Sequence, residues 1–170
     1  MVPRAVIMLR PIVPGCVESY RSIRLRALQD TPTAFGSTYA RESRLSDADW
    51  LNRAAQWNGD RSAAFLAWDG DEPCGIVAGF LEQDEPTMAH LVSMWVAPTH
   101  RRAGVGRLLV NAVIDWMRSR GATALRLMVT SNNDVAQRFY ERLGFTPTGR
   151  TEPYPNDAAL FEFEMIRSIV

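Results

Sequence analysis

The 170-residue chain contains no lysine; all 19 of its basic residues are arginines, set against 19 acidic residues. Without a side-chain primary amine, the chain has no Schiff-base former and no lysine general base. It also has no Walker phosphate loop, whose lysine reaches the β- and γ-phosphates. Cysteine is equally scarce. Cys16 and Cys74 lie far apart in the sequence with no ligand spacing around them. Neither a disulfide framework nor a metal site is readable, and the reading is a reduced setting with no metal. The formal net charge is zero, so the strongly basic footprint of a general nucleic-acid binder is missing. No apolar run approaches the roughly 18–20 residues of a membrane span. The stretch from Met1 to Arg10 also lacks the apolar centre of a secretory leader. Together these absences predict a soluble, cytoplasmic protein with neither nucleic acid nor membrane as a partner. Its length, with 46% hydrophobic and 22% charged residues, suits one domain over residues 1–170 with a core of its own.

The apolar spacing sets the expected elements. Val6–Arg10 reads as a strand, and Val17, Tyr20, Ile23, Leu25 and Leu28 fit an amphipathic helix. Residues 30–39 form a loop that carries two aromatics, Phe35 and Tyr39. Ser46 caps a helix that runs to about Trp57. A meander follows: Ala63–Trp68, a hairpin turn at Asp69-Gly70, Gly75–Glu82 with glycines suggesting a bend or bulge, and Ala89–Val96. Leu108, Leu109, Ala112, Val113 and Trp116 then recur at helical spacing up to the Gly121 cap. Leu125–Val129 is a strand, Asn132–Leu143 a helix, and Phe145–Arg150 and Leu160–Ile166 are closing strands. The expected fold is mixed α/β, a central twisted sheet of about six to seven strands flanked by helices.

The stretch from Met94 to Leu109 organises the rest. An apolar strand ends at Pro98, and Arg101, Gly104 and Gly106 stand at the mouth of a helix. Such a turn aims backbone N–H groups at one point, where the helix dipole adds positive charge, and so suits a phosphate or pyrophosphate. A dinucleotide fingerprint would need a small residue where Leu109 stands, and an acid at the end of the next strand. Leu125–Val129 supplies none. What remains is an R-x-x-G-x-G loop. About 30 residues on, Asn133-Asp134-Val135-Ala136-Gln137-Arg138-Phe139-Tyr140 leads into Leu143-Gly144-Phe145.

These two motifs at this spacing resemble the two signatures of the GCN5-related N-acetyltransferase (GNAT) superfamily, over roughly Leu91–Arg150. The resemblance implies acetyl-CoA as co-substrate and an amine as acceptor. It implies pantetheine lying along the fourth strand near Met94, Trp95 and Val96. The pyrophosphate would then sit on the N–H groups of Arg102, Gly104, Val105, Gly106 and Arg107, with the side chains of Arg101, Arg102 and Arg107 adding charge. Asn133 would touch the cofactor. Tyr140 would bind there too and protonate the departing thiolate. A backbone N–H near Met94 or Trp95 would hold the carbonyl oxygen, worth about 3 kcal/mol.

An alkyl ammonium is only about 0.1% neutral at pH 7, so a base helps. His90 stands where some relatives carry a glutamate, and Glu82 and Asp84 are alternatives acting through water. The acceptor pocket is expected around Phe35, Tyr39, Trp95 and Tyr154, with Glu42, Asp84, Glu85, Glu152 and Asp157 available to attract a cationic amine. Neither signature contains a cysteine, so direct transfer in a ternary complex is expected rather than a covalent acetyl-enzyme. A non-catalytic acyl-CoA-binding or sensing module is the alternative from another class. The family often forms homodimers, and no sequence feature here defines an interface.

Overall fold

The computed structural model describes residues 6–170. Met1–Ala5, half of the stretch read for a secretory leader, lie outside the described residues. Seven strands form one sheet in the order β1-β2-β3-β4-β5-β7-β6. They are β1 (Ile7–Pro11), β2 (Ser62–Asp69), β3 (Glu72–Leu81), β4 (Met88–Val96), β5 (Ala124–Thr130), β6 (Thr146–Pro153) and β7 (Phe161–Ser168). Every neighbouring pair is antiparallel except β4 with β5. That parallel pair needs a crossover, and the long helix between the two strands provides it.

The helices are α1 (Val17–Asp30), α2 (Tyr39–Glu42), α3 (Asp47–Gln56), α4 (Val105–Ser119) and α5 (Asp134–Arg142). Ser46 caps α3 as expected, in a reciprocal box with Asp49. The crossover helix α4 lies on β2, β3 and β4, while α1 contacts β3. The buried face of α4 is Val105, Leu109, Val110, Val113, Ile114 and Met117. It is rotated from the expected stripe, so Leu108 is exposed and Trp116 only partly covered. Arg120 stacks its guanidinium over that Trp116 ring, 4.7 Å from its centroid.

The glycines of β3 serve close packing as well as an irregular strand. A Cβ at Gly79 would come 2.7 Å from Val113 Cγ1 and 2.8 Å from Met117 Cε, and one at Gly75 2.8 Å from Leu109 Cδ1. Their absence lets α4 settle onto the sheet. β3 also bulges beside Gly75, where Ala67 pairs with Gly75 and Trp68 with Pro73, leaving Cys74 extra. A second irregularity falls on β4. Ile76 pairs with Trp95 and Ala78 with Val92, so Val77 alone faces both Ser93 and Met94. Ser93 takes φ of 58° in this bulge, a left-handed conformation that a non-glycine residue adopts at a cost.

Candidate active site

β4 and β5 pair only at Met88–Ala124, Ala89–Leu125 and His90–Arg126. Past His90 each strand keeps only its outer partner, β3 or β7. The sheet therefore parts at His90, and the gap becomes a cleft of about 420 Å³. His90, Ser93 and Met94 line it from β4, Thr130 from the end of β5, Asn133 and Tyr140 from α5, and Phe35 from the loop after α1. Sequence-distant residues meet here because a parallel strand pair that loses its ladder leaves backbone groups without partners, which a ligand can satisfy.

Next to Met94 of the cleft wall stands the turn into α4. Gly104 is the N-cap with φ of 84°, and no side chain caps the helix. A Cβ at Gly104 would meet nothing within 4 Å. Glycine is needed there for its left-handed backbone, and the space above it is open. Arg102 is also left-handed, with φ of 62°. The uncapped N–H groups of Gly104, Val105, Gly106 and Arg107 thus lie at the positive end of a helix with open space above Gly104, which suits an anion. The Val105 side chain itself is core.

Two residues of this turn act differently from the expectation. A Cβ at Gly106 would lie 2.9 Å from Phe139 Cζ and 3.2 Å from Met94 Cε. The missing side chain therefore lets α5 and β4 approach α4. Arg101 turns its side chain away from the turn. Its Nε donates to Val96 O at 2.9 Å and its Nη2 to Asp30 Oδ2 at 2.5 Å. Asp30 also accepts from Thr31 Oγ1 and from Trp95 Nε1. Burial alone would raise the Asp30 carboxyl, but the hydrogen bonds from Thr31, Trp95 and Arg101 hold it below its ordinary value. Arg102 and Arg107 remain exposed.

In the cleft, Tyr140 is buried to 7% exposure, edge-on to Phe139 and Phe145. Burial pushes its phenol far above the ordinary value, so it stays protonated. Asn133 spends its Oδ1 on capping α5, accepting from Ala136 N–H at 3.1 Å. His90 stacks on Phe80 and points Nε2 at the Glu82 carboxylate. That hydrogen bond lowers the Glu82 carboxyl. His90 and Glu82 thus form an imidazole–carboxylate pair at the crotch of the parted strands. The carboxylate holds the ring in one orientation.

Three of the expected acceptor contacts are outside the cleft. The Trp95 indole is buried against Asp30 and under the Arg26 guanidinium, on the α1 face of β4. Tyr39 opens α2 and is 39% exposed. Tyr154 is buried, its hydroxyl 2.6 Å from Phe35 O. Glu42, offered to attract an amine, is 1% exposed and already bound. Arg24 Nε and Nη2 each reach it at 2.9 Å, and Arg53 Nη1 at 3.3 Å.

Sequence reasoning missed Arg24, Ser93 and Glu162, all lining the cleft. Arg24 stacks over Phe35 and approaches Ser93 Oγ at 3.3 Å. In sequence it looks like any arginine on the polar side of an amphipathic helix. The β4 bulge has no sequence signal at all.

The sequence profile of the acetyltransferase (GNAT) family matches residues 25–145. The chain belongs to that family. The match begins inside α1, well before the two signatures. Mycothiol acetyltransferase of Corynebacterium glutamicum is 34% identical over 115 residues, 68% of this chain and 36% of the relative. The chain thus spans about a third of the length of that relative. The [ribosomal protein bS18]-alanine N-acetyltransferase of Escherichia coli is 30% identical over 125 residues, 72% of this chain and 82% of the relative. Among solved structures, a GNAT-family acetyltransferase from Streptococcus pneumoniae superposes with a TM-score of 0.83 over 97% of this chain and all of that one, at 19% identity. The PaiA N-acetyltransferase of Thermoplasma acidophilum, solved in complex with coenzyme A, gives 0.73 over 96% and 99%, at 19% identity. At these identities the structures speak for the GNAT fold.

Proposed function

We propose that the chain is an acetyl-CoA-dependent N-acetyltransferase that moves an acetyl group to a primary amine by direct transfer in a ternary complex. The observation that carries this reading is the parted β4–β5 pair. Its wall carries Met94, which adjoins the uncapped N-terminal turn of α4, a buried, protonated Tyr140, and His90, whose ring is paired with Glu82. The residues present fit acetyl-CoA: an open glycine turn for the pyrophosphate, unpaired β4 edge past His90 for the pantetheine amides, and an apolar wall at Met94. When bound, acetyl-CoA supplies an activated carbonyl with a thiolate as leaving group.

The protein's residues supply the rest. N–H groups of Gly104, Val105, Gly106 and Arg107 hold the diphosphate, with Arg102 and Arg107 adding charge. An N–H of the β4 bulge, near Met94 or Trp95, stabilises the carbonyl oxygen as charge develops. His90, oriented by Glu82, accepts the proton that the ammonium must lose. Tyr140, which burial keeps protonated, gives its proton to the leaving sulfur. The two relatives named above carry different acceptors in their names, so they support the reaction class and leave the acceptor open.

The test is acetyl-CoA-dependent thiol release against amines of several classes, run with wild type and Tyr140→Phe. The substitution removes only the hydroxyl. It should lower turnover about 100-fold while calorimetry shows acetyl-CoA binding retained. Binding with no transfer to any amine would instead favour an acyl-CoA-binding module. No binding of any CoA ester would defeat both readings.

A further inference from the structure

The acceptor side of the cleft is strapped shut across its loops. Tyr154 places its hydroxyl 2.6 Å from Phe35 O and 3.2 Å from Pro32 O. Asn156 Nδ2 donates to Gly36 O at 3.3 Å. Thr130 Oγ1 donates to Thr33 O at 2.6 Å. The loop after α1 is therefore fastened both to the connection between β6 and β7 and to the end of β5. A polypeptide threaded between those loops would have to break the strap, whereas a small molecule would not.

The charges around this enclosure almost all cancel. Arg24, the cationic side chain in the cleft wall, is neutralised by Glu42. Glu82 faces His90, and Glu85 faces Arg126. Glu164 is held by Thr148 and lies 3.6 Å from both Arg126 and Arg150. Glu152 meets Arg150 at 2.5 Å. Among the charged side chains that line the cleft itself, Glu162 is the exception. It lines the cleft and has no hydrogen bond or ion pair from its side chain among the described residues. The sheet register sets it opposite Thr130 on β5 and Glu152 on β6. Partial burial, and then the charge of Glu152, push its carboxyl upward. An unpaired, half-buried carboxylate is costly to hold, and a cationic ligand group would repay that cost.

Position separates Glu162 from the proton-handling residues. His90 is in register with Arg126 and Glu162 with Thr130, four residues along β5, or roughly 13 Å. Glu162 therefore faces a part of the acceptor away from the reacting nitrogen.

We propose that Glu162 selects the acceptor, so that the site takes a small alkyl amine bearing a second cationic group and no carboxylate. This rests on the reading of the cleft as an amine acetyltransferase site.

The test uses the full chain with 1,6-diaminohexane, hexylamine, 6-aminohexanoate and an alanine-initiated decapeptide as acceptors. Wild type should prefer the diamine to hexylamine by about tenfold in kcat/KM, with the aminohexanoate and the peptide lower still. Glu162→Gln should bring the diamine-to-hexylamine ratio to within about threefold, and Glu162→Arg should favour the aminohexanoate. A ratio unchanged by Glu162→Gln, or a peptide preferred to the diamine, overturns the proposal. Denaturant unfolding gives a second readout. Because Glu162 has no partner to lose and a like charge beside it, Glu162→Gln should be at least as stable as wild type; a clear loss of stability overturns the assignment. If wild type acetylates none of the four acceptors, nor any amine of the broader panel, the acetyltransfer reading fails. Calorimetry of 1,6-diaminohexane with wild type and Glu162→Gln then decides the charge assignment alone: weaker binding to the variant supports it and equal affinity overturns it.

Discussion

Glu42→Gln should destabilise the protein far more than an ordinary surface substitution, by an amount the geometry sets. Glu42 is 1% exposed and receives two 2.9 Å hydrogen bonds from Arg24, whose side chain is 11% exposed. Removing one partner of a buried pair leaves the other charge desolvated and uncompensated, which costs about 3–5 kcal/mol. Glutamine keeps one acceptor oxygen for Arg24, so the lower end, about 3 kcal/mol, is expected. For a chain of this size that is a fall of about 6–12 °C in Tm. The pH dependence adds a second, independent signature. Burial would raise the Glu42 carboxyl from 4.5, but Arg24, Arg53 and Ser37 together bring it below that value. The unfolded chain therefore binds the proton more readily than the folded one. The stabilisation is fully present above about pH 4.5 and is lost as pH falls through the lower folded value. Urea unfolding from pH 7 down to pH 3 should show wild type and Glu42→Gln converging at the acid end. A deficit under about 1 kcal/mol at pH 7, or a gap that stays constant with pH, would refute the reasoning. Turnover should fall as well, since the arginine released from Glu42 is the one that approaches Ser93 at the β4 bulge.

Gly104→Val forces a β-branched residue into φ of 84°. It should cost about 1–3 kcal/mol and weaken acetyl-CoA binding at least about tenfold; unchanged affinity in calorimetry removes this turn from the donor site. His90→Ala should lower kcat/KM and alter its pH profile, and a variant with both intact would place the base elsewhere or make one unnecessary. Cys74 is fully buried, and that burial pushes its thiol up to about 11, whereas Cys16 is partly exposed. Iodoacetamide at pH 7.5 should therefore modify Cys16 in the native protein and reach Cys74 only on unfolding, as mass spectrometry of the two tryptic peptides would show.

Much of the turn into α4 was legible in the linear chain because its geometry is local. A strand end, a glycine turn and a helix start fall within a dozen residues. Gly104 could be read as the turn glycine because φ of 84° tolerates little else. The capping box at Ser46 and the hairpin at Gly70 were equally local. The acceptor end was not legible. Phe35 was found as an aromatic out of place in a loop, but Trp95, Tyr39 and Tyr154 looked the same in sequence and play other parts. Nothing in sequence distinguishes an aromatic lining a cleft from one whose hydroxyl straps two loops together, because the partners, Phe35 O and Pro32 O, lie more than a hundred positions away.

The stretch from Met94 to Leu109, with its partner motif at Asn133–Phe145, therefore determined the fold class and the family by itself. Its message is carried by local backbone geometry and helical period. Tertiary structure alone decided where the ladder between β4 and β5 ends, that the bulge falls at Ser93, and which charges survive uncancelled. Pairing is a property of two segments at once. Arg101 faces Asp30 instead of the turn, Glu42 is consumed by Arg24, and Glu162 is left over, because charges find their partners through space and not along the chain.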